Sequence, residues 1–268
     1  MTTLSFAREI RRRTIGMVSA AGTSHVGGCL SMADIVAVLY GGGIVRHRPT
    51  DPHWDKRDRV ILSKGHCCAS LYAALALRGY FPPEELDTFG QDGSRLMAHV
   101  SASVPGVEMS TGSLGHGLPV AAGRALAGRR RGGDQRVFVI LSDGELDEGS
   151  NWEAILFAGH HRLDNLVTVV DCNGLQSLGR TEDVLSLEPL IDKFLAFRWG
   201  VREVDGHDHE SLSRELGTLP WEPGRPSCLL ARTTKGKGID FMEDSLAWHY
   251  RSPNAEMAAR AITQLGEP

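Results

Sequence analysis

At 268 residues the chain is long enough to bury a full core, and its apolar, charged and aromatic fractions (41%, 23% and 6%) are those of an ordinary globular protein. A formal net charge of −4 gives no electrostatic footprint for nucleic acid or an anionic membrane, and no apolar run approaches the roughly 20 residues that cross a bilayer. The Arg-rich N-terminus has no apolar segment behind it, which argues against a secretory signal, and five cysteines without metal-site spacing suit free thiols in a reducing cytoplasm.

Helical patterns come first, over 4–21 and 31–40. A continuous apolar run at 59–62 then predicts a buried strand, followed by a helix over 69–77 and another over 118–127. The second strand is expected at 136–141 with a helix over 152–161, and the third at 166–171 with a helix over 187–197. Strands at 201–204 and 228–231 flank a helix over 210–219, and a last helix covers 255–265. No repeat, low-complexity segment or polar linker divides the chain, so one domain over 1–268 is expected. Strands alternating with helices argue for an α/β domain with a mostly parallel β-sheet flanked by helices on both faces. Such sheets bind ligands at the carboxyl ends of their strands.

Two consecutive strand ends carry oxygen ligands. Asp143-Gly144 follows "VFVILS", and Asp171 and Asn173 lie in "VVDCNG" at the end of the next strand. A carboxylate with a carboxamide and backbone carbonyls is hard-cation chemistry, and magnesium of this kind borrows further oxygens from a phosphate. Gly144 would let a diphosphate approach the backbone, and a helix starting near Asn151 would offer amides to it. The plainer reading of each motif is a strand-ending turn, since Asp-Gly and Asn-Gly are common turns.

The chain resembles the transketolase family of thiamine-diphosphate enzymes. "SDGELDEGSNWEAILFAGHHRLDNLVTVVDCNGLQSLG" resembles the family's diphosphate motif, which usually begins Gly-Asp-Gly and closes on an Asn. "TSHVGGCLSMADIVAVLY", "WDKRDRVILSKGHCCASLYAAL", "PGVEMSTGSLGHGLPVAAG" and "TTKGKGIDFMEDSLAWH" are similar, in order, to four further family segments. The resemblance implies the thiamine-diphosphate-binding fold, with thiamine diphosphate and Mg2+ (or Ca2+ or Mn2+ in its place) as cofactors. It assigns the metal to Asp143, Asn173 and the carbonyl of Leu175, places Gly144 against the diphosphate, and makes Gly112, Ser113 and Leu114 cofactor contacts. Leu114 reads equally as a core leucine.

Four histidines match the family's active-site positions: His25, His66, His99 and His249. Sugar chemistry needs proton carriers near neutral pH and donors that polarise carbonyl and hydroxyl oxygens, and imidazole does both. The resemblance gives His25 and His249 to substrate contact and proton transfer, with His249 also on the cofactor, and His66 to both cofactor and substrate. His99 departs from the family pattern, which has His-Pro-Glu where this chain has "HVS". Lys235 matches a lysine near the cofactor, or else belongs to a solvated turn. Ser142 stands for the first Gly of Gly-Asp-Gly, and Val-Gly-Gly after His25 replaces the commoner Pro-Gly-Ala, which would reshape the sugar entrance. Glu148 matches a family glutamate of the subunit interface; Glu145 and Asp147 read as acids favouring a helix start.

A full transketolase also carries a pyrimidine-binding domain whose glutamate bonds the aminopyrimidine, and only nineteen residues follow His249. The expected molecule is therefore the N-terminal subunit of a split transketolase, with two copies each of this chain and a C-terminal subunit carrying the pyrimidine-binding domain. It would pass a two-carbon ketol unit from a ketose (phosphate) to an aldose (phosphate). The alternatives are a 1-deoxyxylulose-5-phosphate synthase-like subunit, the first component of a 2-oxoacid dehydrogenase, or a non-catalytic scaffold half.

Overall fold

A long amphipathic segment opens the fold. In the computed structural model, which describes residues 1–266, α1 (Thr3–Ala21) starts where Thr2 Oγ1 accepts the Ser5 amide at 3.1 Å. It stops at Gly22, which takes up a left-handed conformation. Two short helices follow, α2 (Val26–Ser31) and α3 (Ala33–Gly41), then β1 (Arg59–Leu62) and α4 (Cys68–Leu77). The rest alternates: α5 (Gly117–Arg130), β2 (Val137–Ser142), α6 (Gly149–His160), β3 (Leu166–Cys172), α7 (Thr181–Val184), α8 (Leu190–Ala196), β4 (Gly200–Asp205), α9 (His209–Gly217), β5 (Ser227–Arg232) and α10 (Ala255–Leu265). No helix among the described residues is long and apolar enough to cross a membrane.

The five strands form one wholly parallel sheet in the order β1-β2-β3-β5-β4. Successive strand side chains point to opposite faces, which divides the core in two. Phe138, Ile140, Val167 and Val169 meet the layer of α1, α3 and α4. Val137, Val139, Leu141 and Val170 meet α5, α6 and the aromatic pair Phe194 and Trp199. Every residue of β3 is buried, which is why the central strands read as largely apolar runs and do not alternate with polar residues. At the sheet edge β4 exposes Arg202 and Glu203.

All five predicted strands are present to within a residue or two and the predicted helices to within three residues at either end, while α2 and α7 are not among those expected. The helix expected over 187–197 is confined to α8, because Pro189 occupies its N-cap in extended conformation. α2 lies in a segment whose Gly27-Gly28 disfavours helix. Packing overrides that preference: a Cβ at Gly28 would lie 2.7 Å from Cys67 Sγ, and one at Gly27 would lie 3.2 Å from the Trp248 carbonyl. Only glycine lets α2 approach both neighbours.

Phe138 is completely buried between the sheet and the α1–α3–α4 layer. Replacing it with alanine should lower unfolding stability by about 3–5 kcal/mol, read as a lower urea midpoint at unchanged slope. An unchanged midpoint would contradict this placement in the core.

Candidate active site

The register sets the ends of β2 and β3 side by side, with Ser142 opposite Asp171, and the end of β5 lies next to them. Asp143 is buried and lies one residue past β2. Its Oδ1 accepts the Gly144 amide at 2.8 Å, and its Oδ2 accepts the Gly174 amide at 2.6 Å. Burial pushes its pKa up to about 6, with the charge of Asp171 adding to the effect. No cationic side chain lies in ion-pair range of Asp143 among the described residues, so its free lone pairs suit an added cation. Asn173 Oδ1 accepts the Leu175 amide at 3.2 Å. The Leu175 carbonyl accepts from Lys235 Nζ at 2.9 Å, so that oxygen already faces a cation. Among the described residues no cluster of three or more His, Cys, Asp or Glu is arranged for a metal. One carboxylate, one carboxamide and one carbonyl fit a hard cation that draws further oxygens from a phosphate.

Asp171 is not available as a ligand. It is fully buried, and its Oδ2 lies 2.5 Å from Lys64 Nζ and 2.6 Å from Ser31 Oγ, while Thr233 Oγ1 bonds Oδ1. The lysine takes it because β1 ends two strands away and Lys64, buried to 1% exposure, has no route to water. Burial works against the Lys64 charge, but Asp171 beside it raises the pKa above the ordinary lysine value.

A cleft of about 220 Å³ opens over these strand ends, lined among others by Lys64, Gly144, Asn173, Leu175, Lys235 and all four histidines. Asp143 lies behind this wall, on an adjoining cavity of about 280 Å³ that shares Asn173. His25 stands at the centre of the histidine group. Its ring is 5.0 Å from that of His66, 5.1 Å from His249 and 5.8 Å from His99. The His25 backbone is left-handed (φ 74°) at the N-cap of α2, and its amide bonds the His249 carbonyl at 2.8 Å, which joins two remote loops. His66 lies on the short 3-10 turn after β1, Gly65–Cys67. His99 is set by Tyr72, whose hydroxyl donates to the His99 carbonyl at 3.1 Å and accepts the Ser101 amide at 2.9 Å.

Burial lowers the pKa of His25 to about 4, helped by the neighbouring His66, and that of His249 to about 3, helped by Lys235. His99 is lowered for the same first reason. Burial also lowers Lys235 to about 8, with Lys64 repelling its charge, and its Nζ sits 3.0 Å from His249 Nδ1.

The glycine-rich loop contributes Gly112 and half-buried Leu114 to the cleft, so Leu114 is not a core leucine here; Ser113 is exposed and does not line it. Gly144 lines the cleft, and a Cβ there would sit 2.7 Å from Gln176 Cβ, so the tight approach of the 176 loop alone requires glycine. The helix expected to present amides near Asn151 does not do so. A 3-10 turn, Gly144–Asp147, intervenes, α6 begins at Gly149, and Asn151 is buried with its Nδ2 on the Glu145 carbonyl at 2.7 Å. Glu148 is exposed outside the cleft.

Glu145 corrects the reading of it as a helix-start acid. It is completely buried, accepting from Ser63 Oγ, from the Gly115 amide at 3.0 Å and from the Ser142 amide at 3.4 Å. One carboxylate thus clamps the end of β1, the glycine-rich loop and the end of β2. Asp147 instead accepts from Gln176 Nε2 at 3.0 Å. Residues the sequence reading passed over also line the cleft: Lys64, Gln176, Ser177 and Tyr250, whose exposed ring lies 4.7 Å from that of His249. A lysine two residues past an apolar strand was the available signal.

Hard oxygen donors on one wall, buried lysines beneath and imidazoles on the other define an α/β domain with the groups a metal–diphosphate cofactor needs. Residues 3–266 match the family described as "Transketolase, thiamine diphosphate binding domain", and the chain belongs to it. It is 40% identical, over 96% of its length and 91% of the relative's, to one of the subunits of the apulose-4-phosphate transketolase of Phocaeicola vulgatus. It is 42% identical, over 97% and 94%, to the 6-deoxy-6-sulfo-D-fructose transketolase subunit SqwG of a Clostridium species. The solved transketolase from Leishmania mexicana superposes with a TM-score of 0.93 at 32% identity, covering 100% of this chain but 42% of that one. The chain therefore spans about two fifths of that full-length transketolase, and nearly all of the two subunit-type relatives.

Two measurements test the site. Glu145→Gln sets an amide NH2 against groups that all donate, and should lower stability by about 1–3 kcal/mol while speeding hydrogen exchange at Gly115. His25 and His249 titrate near 6.5 when unfolded but lower when folded, so the unfolded chain binds more protons as pH falls through that range. Stability is then whole above 6.5 and declines as pH falls from 6.5 toward about 4. NMR should show neither ring inflecting near 6.5, and an inflection there would refute the burial argument.

Proposed function

We propose that this chain is the N-terminal, diphosphate-binding subunit of a split transketolase, folded as one domain. It would transfer a two-carbon ketol unit between sugar phosphates once assembled with a subunit that carries the pyrimidine-binding domain. The observation that carries the reading is the meeting of four histidines from remote segments over the Asp143–Asn173 strand ends. The two subunit-type relatives support the division into two chains, and their names, one for a sugar phosphate and one for a sulfo-sugar, support a substrate with a terminal anion.

When bound, thiamine diphosphate supplies the carbanion chemistry of carbon–carbon cleavage and transfer. The chain's residues do the remainder. Asp143, Asn173 and the Leu175 carbonyl would hold Mg2+, with Ca2+ or Mn2+ as substitutes. Gly144 would let the diphosphate approach the backbone, and Lys235 would offset its charge. Gly112, Ser113 and Leu114 would lie along the cofactor rings. His25 and His249, kept uncharged by burial, can accept a hydrogen bond from a substrate hydroxyl or donate one to a carbonyl oxygen without adding cationic repulsion beside Lys235. His66 would bridge cofactor and substrate, and His99 would contact substrate from the rim. Glu148, exposed on this chain, is placed for a subunit interface. A reducing cytoplasm suits the five buried free thiols.

The chain alone should show no ketol transfer, and mixing with the pyrimidine-domain subunit, thiamine diphosphate and Mg2+ should restore it with a ketose phosphate donor. Transfer by the purified chain alone, or preference for pyruvate as donor, would overturn the reading. Asp143→Ala should abolish activity of the assembled complex and its response to added Mg2+.

A further inference from the structure

Behind Lys235 lies a polar cluster that the proposed chemistry does not use. Asp34 of α3 is a carboxylate whose side chain is 7% exposed. Arg11 of α1 grips it with two bonds of 2.9 and 2.6 Å. Two histidines complete the shell, His207 Nδ1 from the loop between β4 and α9 at 2.7 Å and His209 Nε2 from the first residue of α9 at 2.9 Å. Burial opposes the Asp34 charge, but the histidines and the arginine hold its carboxyl well below the usual range. An ionised carboxylate only accepts, so His207 Nδ1 donates to it. That leaves a lone pair on Nε2, which accepts the backbone N–H of Thr234 at 2.8 Å.

Thr234 immediately precedes Lys235. The amides that flank the Thr234–Lys235 pair are tied to backbone: Thr233 to the Cys172 carbonyl at 3.0 Å and Gly236 to the Gly27 carbonyl at 2.9 Å. The Thr234 amide instead hangs on a side chain, and that side chain has its tautomer set by a buried carboxylate. The same logic fixes metal-bound and catalytic imidazoles elsewhere.

The geometry points to His207 as a positioning residue: held by Asp34 as an Nε2 acceptor, it fixes the backbone from which Lys235 reaches the Leu175 carbonyl and His249. This rests on the reading of Lys235 as a diphosphate-binding lysine. Without the His207 bond the Thr234 amide loses its partner, the segment gains freedom, and the ammonium no longer stays over the strand ends. Asp34 retains Arg11 and His209, so the packing of α1 on α3 does not depend on His207.

The test titrates the full chain with inorganic pyrophosphate in excess Mg2+, by calorimetry. His207→Ala should weaken binding about tenfold or more, the scale typical of lost orienting partners, with a nearly unchanged melting temperature. His207→Gln, whose side-chain oxygen can take the Thr234 N–H, should recover most of the loss. In a Lys235→Met background His207→Ala should cost nothing further, because its effect passes through the lysine. Equal losses in both backgrounds, or full affinity in His207→Ala, would overturn the inference while leaving the site itself intact. A parent chain that binds no Mg2+–pyrophosphate would overturn the site reading and this inference together. Should the alanine variant fail to fold, His207→Asn, which keeps a donor for Asp34 but has no acceptor reaching Thr234, takes its place with the same outcomes.

Discussion

The buried pair of Lys64 and Asp171 is the constraint on which the site depends. Taking two charges out of water is costly, and the attraction between them offsets that cost only with good geometry and further hydrogen bonds. Here Ser31, Thr233 and Asn173 supply those bonds. The result joins α2, the end of β1, the end of β3 and the start of the segment after β5 around one carboxylate. Breaking either side would strand a charge in the core, so these four segments hold one mutual arrangement. The cleft is the space left above that arrangement.

A second clamp works beside the first. Glu145 gathers the β1 end, the glycine-rich loop and the β2 end through three donors, and Thr111 Oγ1 ties the same loop to the Leu62 carbonyl at 2.6 Å. Both clamps are built on a buried carboxylate and both lie under loops that carry the chemistry. Loops at a strand edge would otherwise be mobile, and buried carboxylates satisfied by side-chain and backbone donors make them rigid. The histidines above are then crowded together, and crowding plus burial favours their uncharged forms. Rigid loops and uncharged imidazoles thus have a common origin in the packing of the strand ends.

Much of this was legible in the chain itself. The strands announced themselves because both faces of a parallel sheet are covered, so Val137–Leu141 is apolar without a break and Leu166–Val170 is broken only by Thr168. Asp143 and Asn173 stood out because polar groups directly past such runs fall at the carboxyl edge. The four histidines were picked out by motif, and their convergence followed from the topology. α2 was not legible, since Gly27 and Gly28 argue against a helix until Cys67 and Trp248 are seen to press on it. Glu145 was misjudged for a related reason: next to Asp147 and Glu148 it looks like one more surface acid. Only the 3-10 turn rotates it inward, toward Ser63 and Gly115.

Periodicity and motif spacing by themselves determined the class of fold, the strand-end location of the site and the residue types present there, because burial and backbone preference are written locally. The tertiary structure alone decided which acid is exposed, which is a clamp and which is paired with Lys64, and why His207 faces Thr234. Those roles depend on partners far away in the chain, 27 positions from Thr234 to His207, 140 from Ser31 to Asp171 and 173 from Asp34 to His207. A carboxylate's function is set by which donors surround it, and no local pattern records neighbours brought together only by folding.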